Sequence, residues 1–284
     1  MNSPVTQTTV VKVKGNHQTQ ETDFLVAEEP LEIRLVFGNA FNRKQQSVSV
    51  TMRTPGHDFE LATGFLFTEG IIQQFEDINN IQHCGGLNQN VVRIELREDV
   101  DVNIAKLERN FYTTSSCGVC GKASIDAVRT VCRIEKTTQS SFSISSTILI
   151  SLPEKLRKAQ AVFETTGGLH GCALFDAQGN LLLSREDAGR HNAVDKLIGA
   201  ALQQKLFPLD KYILILSGRA SFELIQKAWM AGIQIIAAVG APSSLAVEMA
   251  NDVNLTLAGF LRQNSFNIYT HKERIIILNH EDSY

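Results

Sequence analysis

Ile33, Leu35 and Phe37 alternate with Glu32, Arg34 and Val36, and Val48, Val50 and Met52 alternate with Ser47, Ser49 and Thr51, the period of strands with a single buried face. The polar stretch Gly38 to Gln46 between them, with Asn39 and Asn42, predicts a hairpin connection. Asp58 is placed to cap a short helix whose Leu61, Ala62, Phe65 and Leu66 share one side, and Gly70 is placed to end it. Strands over Ile78 to His83 and Val91 to Leu96 complete an α+β unit that closes near Asn110. Phe111 to Gly121 is small, polar and glycine-containing, and reads as a loop. Lys122 to Arg133 follows as a helix, with Ile125, Val128, Val131 and Cys132 at helical spacing. The Ser/Thr-rich stretch Thr137 to Thr147 predicts a second connector, anchored by Phe142 and Ile144.

From Ser151 the period changes. Ser151 and Pro153 suit a helix start, and Leu156, Ala159, Gln160 and Phe163 carry the helix on to Thr166-Gly167-Gly168. His170 to Phe175 and Leu181 to Ser184 are apolar runs separated by Asp176-Ala177-Gln178-Gly179-Asn180, a hairpin signal. A helix is expected over Asn192 to Gln204. Strand and helix then alternate: Tyr212 to Leu216, Phe222 to Ala231, Gln234 to Val239, Ser244 to Ala250 and Leu255 to Phe260. That spacing implies parallel crossovers. Phe266 to Tyr269 and Arg274 to Leu278 are expected as edge or extension strands. The predicted class is α/β, in three parts: an α+β domain over 1–110, a loop, helix and connector over 111–150, and a layered α/β domain over 151–284.

Composition narrows the function. The 284 residues carry 27 Lys plus Arg against 30 Asp plus Glu, a formal charge of -3, which argues against a protein whose main task is neutralising nucleic-acid phosphates. No uninterrupted apolar run approaches the roughly 18 residues of a membrane span, and the first residues hold no apolar core of signal-peptide length. A cytoplasmic protein is expected, and its five cysteines are then read by position rather than as a disulfide framework.

Cys84, Cys132 and Cys172 are singletons read as packing residues, whereas Cys117 and Cys120 form a CxxC. That pair lies before a predicted helix and next to Lys122; both a helix N-terminus and a cation favour the thiolate, which is the nucleophile. Three readings fit it. Half of a zinc site would need ligands from His83, Cys84, Cys132 or Cys172, none of which forms a second close pair. A dithiol oxidoreductase would place the pair directly after a strand in a βαβ unit, unlike this context. A sulfur carrier would hold sulfane sulfur as a persulfide on one cysteine.

The loops after the predicted parallel strands form a separate candidate site, because open α/β sheets bind ligands at the carboxyl ends of their strands. Ser217-Gly218-Arg219-Ala220-Ser221 offers amides, hydroxyls and a guanidinium to an anion, or else a helix cap by Ser221 with a surface arginine. Gly240-Ala241-Pro242-Ser243-Ser244 is explained by a cap at Ser244. Phe260-Leu261-Arg262-Gln263-Asn264-Ser265 joins an aromatic face, a cation and amides suited to a base, or makes a plain polar turn. Arg185 to Asn192 reads either as salt bridges with an Asp187 or Asn192 cap or as a ligand wall.

In order along the chain, the segments Leu61 to Gly70, Ser115 to Lys122, Thr166 to His170, Gly189 to Lys196, Ser217 to Glu223 and Ala241 to Val247 resemble the FdhD family, the formate dehydrogenase accessory sulfurtransferases. The resemblance implies a sulfurtransferase with no resident metal. It would accept sulfur from a cysteine desulfurase and pass it to the molybdenum or tungsten bis-guanine-dinucleotide cofactor of formate dehydrogenase. It also implies a C-terminal domain of cytidine deaminase fold and a homodimer, with neither nucleic acid nor membrane as partner. Cys117 would carry the persulfide and Cys120 assist. Phe260, Leu261, Arg262, Gln263, Asn264 and Ser265 would meet the dinucleotide, with Ser217, Arg219 and Ser221 toward its phosphates.

Overall fold

The computed structural model describes residues 3–84, 89–102 and 142–277. Cys117, Cys120, Cys132, Lys122 and the expected helix at 122–133 lie outside these residues.

The first sheet has the order β4-β3-β6-β5, built from β3 (Glu29–Phe37), β4 (Lys44–Arg53), β5 (Ile78–His83) and β6 (Val91–Leu96). β3 and β4 form the expected antiparallel hairpin, and β3 runs parallel to β6. Leu31, Ile33 and Leu35 alternate into the core, as the period of the sequence requires. Helix α1 (Asp58–Thr68) lies against this sheet and ends at Gly70, which adopts φ +68. Its start corrects the sequence reading. His57 occupies the N-cap in the left-handed region, and Asp58 instead grips the buried Arg53 guanidinium with both carboxylate oxygens, at 2.9 and 3.0 Å. Arg53 is only 1% exposed, so the bidentate pair supplies the charge balance that burial demands.

The second sheet has the order β13-β12-β11-β10-β8-β9. Its middle strands β10 (Ile213–Leu216), β11 (Ile235–Ala238) and β12 (Thr256–Gly259) are parallel and buried along their whole length, as strands covered on both faces must be. The hairpin of β8 (His170–Phe175) and β9 (Leu181–Asp187) adds antiparallel to β10, and β13 (Asn267–Thr270) closes the other edge. One face is covered by α2 (Ser146–Ala159), whose Leu149, Leu152 and Leu156 meet Phe175, Ile213 and Ile215. Helix α2 begins five residues before Ser151, with the Ser145 hydroxyl accepting the Thr147 N–H; Pro153 therefore sits inside the helix rather than at its start. The connector expected through Thr147 accordingly ends in β7 (Ile144–Ser145), paired with β14 (Ile275–Ile276). Helix α3 (Ala161–Thr166) follows α2 as a separate turn, stopped by Gly167 at φ +69.

The other face carries α4 (Arg190–Gln203), α5 (Phe222–Met230) and α6 (Ser244–Asp252). Helices α1 and α4 touch backbone to backbone at Gly64 and Gly199: a Cβ on Gly64 would collide with the Asp195 carbonyl, and one on Gly199 would lie 2.9 Å from the Gly64 nitrogen. This crossing merges the first sheet, α1, α4, α5, α6 and one face of the second sheet into one continuous apolar core.

A feature that the alternation did not suggest stands outside both sheets. β1 (Val5–Lys14) and β2 (His17–Val26) pair along all ten residues as a two-stranded antiparallel arm, attached at its base by the Ala27 N–H to the Pro4 carbonyl at 2.9 Å.

Candidate functional site

The carboxyl ends of β10, β11 and β12 deliver three loops to one edge of the second sheet, and main-chain hydrogen bonds tie them together. The Gly240 N–H donates to the Gly218 carbonyl at 2.9 Å, and the Phe260 N–H donates to the Gly240 carbonyl at 3.1 Å. Gly240 is the hinge of this arrangement, because a Cβ there would press to 2.8 Å from the Gly218 oxygen and 2.9 Å from the Arg219 nitrogen. Ala220 and Pro242 form a parallel bridge across the same two loops. The segments 217–221 and 260–265, read separately in the sequence, are thus brought to one place.

Within the first loop, Ser217 is fixed by a reciprocal pair with Gly171: its hydroxyl accepts the Gly171 N–H at 2.8 Å, and its own N–H donates to the Gly171 carbonyl at 2.9 Å. The hydroxyl proton remains available to an acceptor. Arg219 is exposed. Ser221 occupies the N-cap position of α5 but makes no side-chain cap; its hydroxyl lies 3.3 Å from His191 Nε2. The capping alternative for Ser221 is therefore overturned. In the second loop the cap is Ser243, accepting the Ala246 N–H at 3.2 Å, and not Ser244. In the third loop Leu261 is fully buried and serves as the anchor, while Phe260 is 43% exposed at φ +54 and Gln263, Asn264 and Ser265 face solvent. The Arg262 guanidinium folds back on the Val239 and Leu261 carbonyls, at 2.5 and 3.0 Å, and fixes the loop on the end of β11.

Basic groups gather at this edge. His170 lies beside Gly218, near Arg190 and His191. Burial, followed by the charges of Arg190 and His191, holds the His170 imidazole below its ordinary value. His191 Nε2 is 2.8 Å from Glu223 Oε2, a partnership that the sequence did not suggest because the two residues are 32 positions apart and share no periodic signal. The amides, hydroxyls and cations here suit an anionic group, and the adjoining Phe260 ring offers a stacking face.

The Arg185 to Asn192 segment resolves into structural bonds. Neither Asp187 nor Asn192 is the cap of α4, which is Gly189. Asp187 accepts the Gly189 N–H at 2.8 Å and pairs with buried Lys196 at 2.7 Å, and Asn192 donates to the Met52 carbonyl at 2.7 Å. Arg185 reaches across to Glu60 at 2.5 and 2.7 Å. A cavity of about 530 Å³ lies near these groups, lined by Pro4, Thr54, His57, Val162, Leu169 and Arg185 among others, but Arg185 and Lys196 are already committed to carboxylates at its wall. Cys172 is buried within β8, where desolvation pushes its thiol well up, which fits its reading as a packing residue. No helix among the described residues is long and apolar enough to cross a membrane.

Fold and site together define a mixed α/β protein with an anion-suited loop edge on a parallel sheet. The FdhD/NarQ family model matches residues 26–276, and the chain belongs to that family. It is similar to the sulfur carrier protein FdhD of Streptomyces coelicolor, 48% identical over 274 residues and 94% of each chain. It also resembles that of Mycolicibacterium paratuberculosis, 53% identical over 257 residues, covering 88% of this chain and 91% of the relative. The sulfur carrier protein FdhD of Sulfurisphaera tokodaii is 43% identical over 267 residues, covering 94% of this chain and 97% of the relative. A formate dehydrogenase accessory protein from Desulfotalea psychrophila shares the fold, with a TM-score of 0.71 over 96% of this chain and 99% of the other at 22% identity.

Proposed function

We propose that this chain is a cytoplasmic sulfurtransferase that takes sulfane sulfur from a cysteine desulfurase and passes it to the molybdenum bis-guanine-dinucleotide cofactor, which formate dehydrogenase requires. The Cys117 thiolate attacks the outer sulfur of the desulfurase persulfide. The sulfur–sulfur bond there breaks, the desulfurase cysteine departs as thiolate, and Cys117 keeps the sulfur as its own persulfide, with no oxidant consumed. Lys122 favours the attacking thiolate, and Cys120 assists release of the sulfur. The cofactor is the substrate of the second transfer. Phe260 and the loop to Ser265 meet its guanine, and Arg219 with the hydroxyls of Ser217 and Ser221 meets its phosphates.

The observation that carries the sulfur-transfer reading is the family match, whose span of residues 26–276 contains Cys117 and Cys120. The dinucleotide reading is supported by the joining of the 217–221 and 260–265 loops through Gly240. Mass spectrometry of the protein after incubation with desulfurase and cysteine should show the mass of added sulfur on the Cys117 peptide. If Cys117 never gains sulfur and Cys117→Ala still activates formate dehydrogenase, the reading fails. A Cys117–Cys120 disulfide that cycles with reductant and ignores the desulfurase would make the protein a dithiol oxidoreductase instead.

A further inference from the structure

Arg190 is the exception in the Arg185 to Asn192 segment, because it makes no structural bond. Every other charged side chain there is engaged: Arg185 with Glu60, Glu186 with the Val162 and Phe163 amides at 3.1 and 2.9 Å, Asp187 with Lys196, and His191 with Glu223. Among the described residues no hydrogen bond, ion pair or ring contact reaches the Arg190 guanidinium, and its Nε is closed off from solvent without an acceptor. A guanidinium N–H buried in that way has given up its hydration and gained nothing in return, so it marks a donor whose acceptor the described residues do not supply.

Among the described residues Arg219 is likewise without a partner, whereas the remaining arginines lie on carboxylates, on main-chain carbonyls or, for Arg157, over the Phe163 ring. Both free guanidiniums belong to the same sheet edge. Arg219 stands in the loop after β10, and Arg190 opens α4 next to His191, whose Nε2 lies 3.3 Å from the Ser221 hydroxyl of that loop. His170 joins them from β8: its ring comes to 3.2 Å from where a Gly218 side chain would begin, and within the field of the Arg190 charge. The Asp187 and Glu223 carboxylates are already bonded to Lys196 and His191, so two guanidinium charges are left uncompensated at this edge. One guanidinium fork grips the oxygens of one phosphoryl group, and two forks on separate elements suit two. We propose that Arg190 is a further binding residue of this edge, acting with Arg219 to hold the two phosphoryl groups of a diphosphate, so that the edge selects nucleoside diphosphates over monophosphates. The inference rests on the dinucleotide reading and adds to it the residue that distinguishes two phosphates from one.

Isothermal calorimetry on the full chain, with guanosine diphosphate and guanosine monophosphate as probes, should show the diphosphate bound about 10- to 100-fold more tightly, the worth of one charge-assisted contact. Arg190→Gln should bring that ratio close to one. A ratio that Arg190→Gln leaves intact overturns the proposal alone, and so do equal affinities in the wild type. A wild type that binds neither nucleotide overturns the dinucleotide reading and the proposal with it. A second measurement uses the wild type only, and so does not depend on how the variant folds. Phenylglyoxal, which modifies accessible guanidinium groups, should label Arg190 in the free protein, and saturating inorganic pyrophosphate should abolish most of that label, read by peptide mass spectrometry, while the label on Arg97 stays the same. Equal labelling of Arg190 with and without pyrophosphate, as expected if residues 103–141 supply its acceptor, overturns the proposal.

Discussion

At Gly64 and Gly199 a single methyl group decides whether two helices can meet. Each glycine lets the backbone of the opposing helix occupy the space where a Cβ would stand, so the obstruction is rigid main chain and cannot be relieved by a rotamer change. Gly64→Ala should therefore lower stability by about 3 kcal/mol or more, seen as a shifted urea midpoint, even though alanine favours a helix intrinsically. Glu60, one turn earlier, is tuned differently. Burial pushes its carboxyl up, but the Arg185 guanidinium and His57 pull it further the other way, leaving it at about 2 against an ordinary value of 4.5. A depressed carboxylate contributes stability that is fully present above 4.5 and is lost as pH falls towards 2. Wild type should thus exceed Glu60→Gln in melting temperature at pH 6, and the gap should shrink between pH 4.5 and 2. An unchanged gap would remove Glu60 as its source.

Among the elements, the three loops at the sheet edge have separable tasks. Arg219 is exposed and free to meet a phosphate, while Arg262 is spent on carbonyls that hold its own loop. Arg219→Ala should weaken binding of guanosine diphosphate by about 10- to 100-fold, the worth of one charge-assisted bond, with the melting temperature unchanged; isothermal calorimetry measures the first and a thermal scan the second. Caps divide similarly: Ser243→Ala should cost about 1 kcal/mol in urea denaturation, and Ser244→Ala close to nothing. These distinctions also show what was legible in the sequence. The parallel strands were readable because Ile213 to Leu216 and Ile235 to Ala238 are short, wholly apolar runs, each followed by a glycine-containing loop. The arm was not, because β2 buries no face and its His, Gln, Glu and Asp residues carry no hydrophobic period. Ser221 and Ser244 look like caps in sequence, yet which hydroxyl meets an amide depends on one residue of phase and, for Ser221, on a histidine 30 positions away. Pro153 read as a helix start for the same reason, since sequence shows a proline's preference and not whether packing overrides it.

Across the whole molecule, a buried polar knot locks the helices that the two glycines bring together. Lys227 of α5 lies 2.9 and 3.0 Å from the carboxylate oxygens of Asp195 on α4 and donates to Thr68 of α1 at 2.9 Å, while the Thr68 hydroxyl donates to Asp195 at 2.8 Å. Burial draws the Lys227 ammonium down, but the carboxylates of Asp195 and Glu69 more than offset it and keep the side chain charged. Removing one partner strands the other in a low-dielectric interior, which costs more than the pair itself contributes. Lys227→Met should accordingly lower stability by about 3–5 kcal/mol, and Asp195→Leu with Lys227→Met should recover most of that loss. The knot spans α1 from the first half of the chain and α4 and α5 from the second, within a continuous apolar core. Neither half can then unfold without exposing the other's packed face, and chemical denaturation followed by tryptophan fluorescence and by circular dichroism should give coincident transitions. Two separated transitions would mean that the α1–α4 crossing is a joint between independent units, and the loss in Lys227→Met should then appear in only one of them.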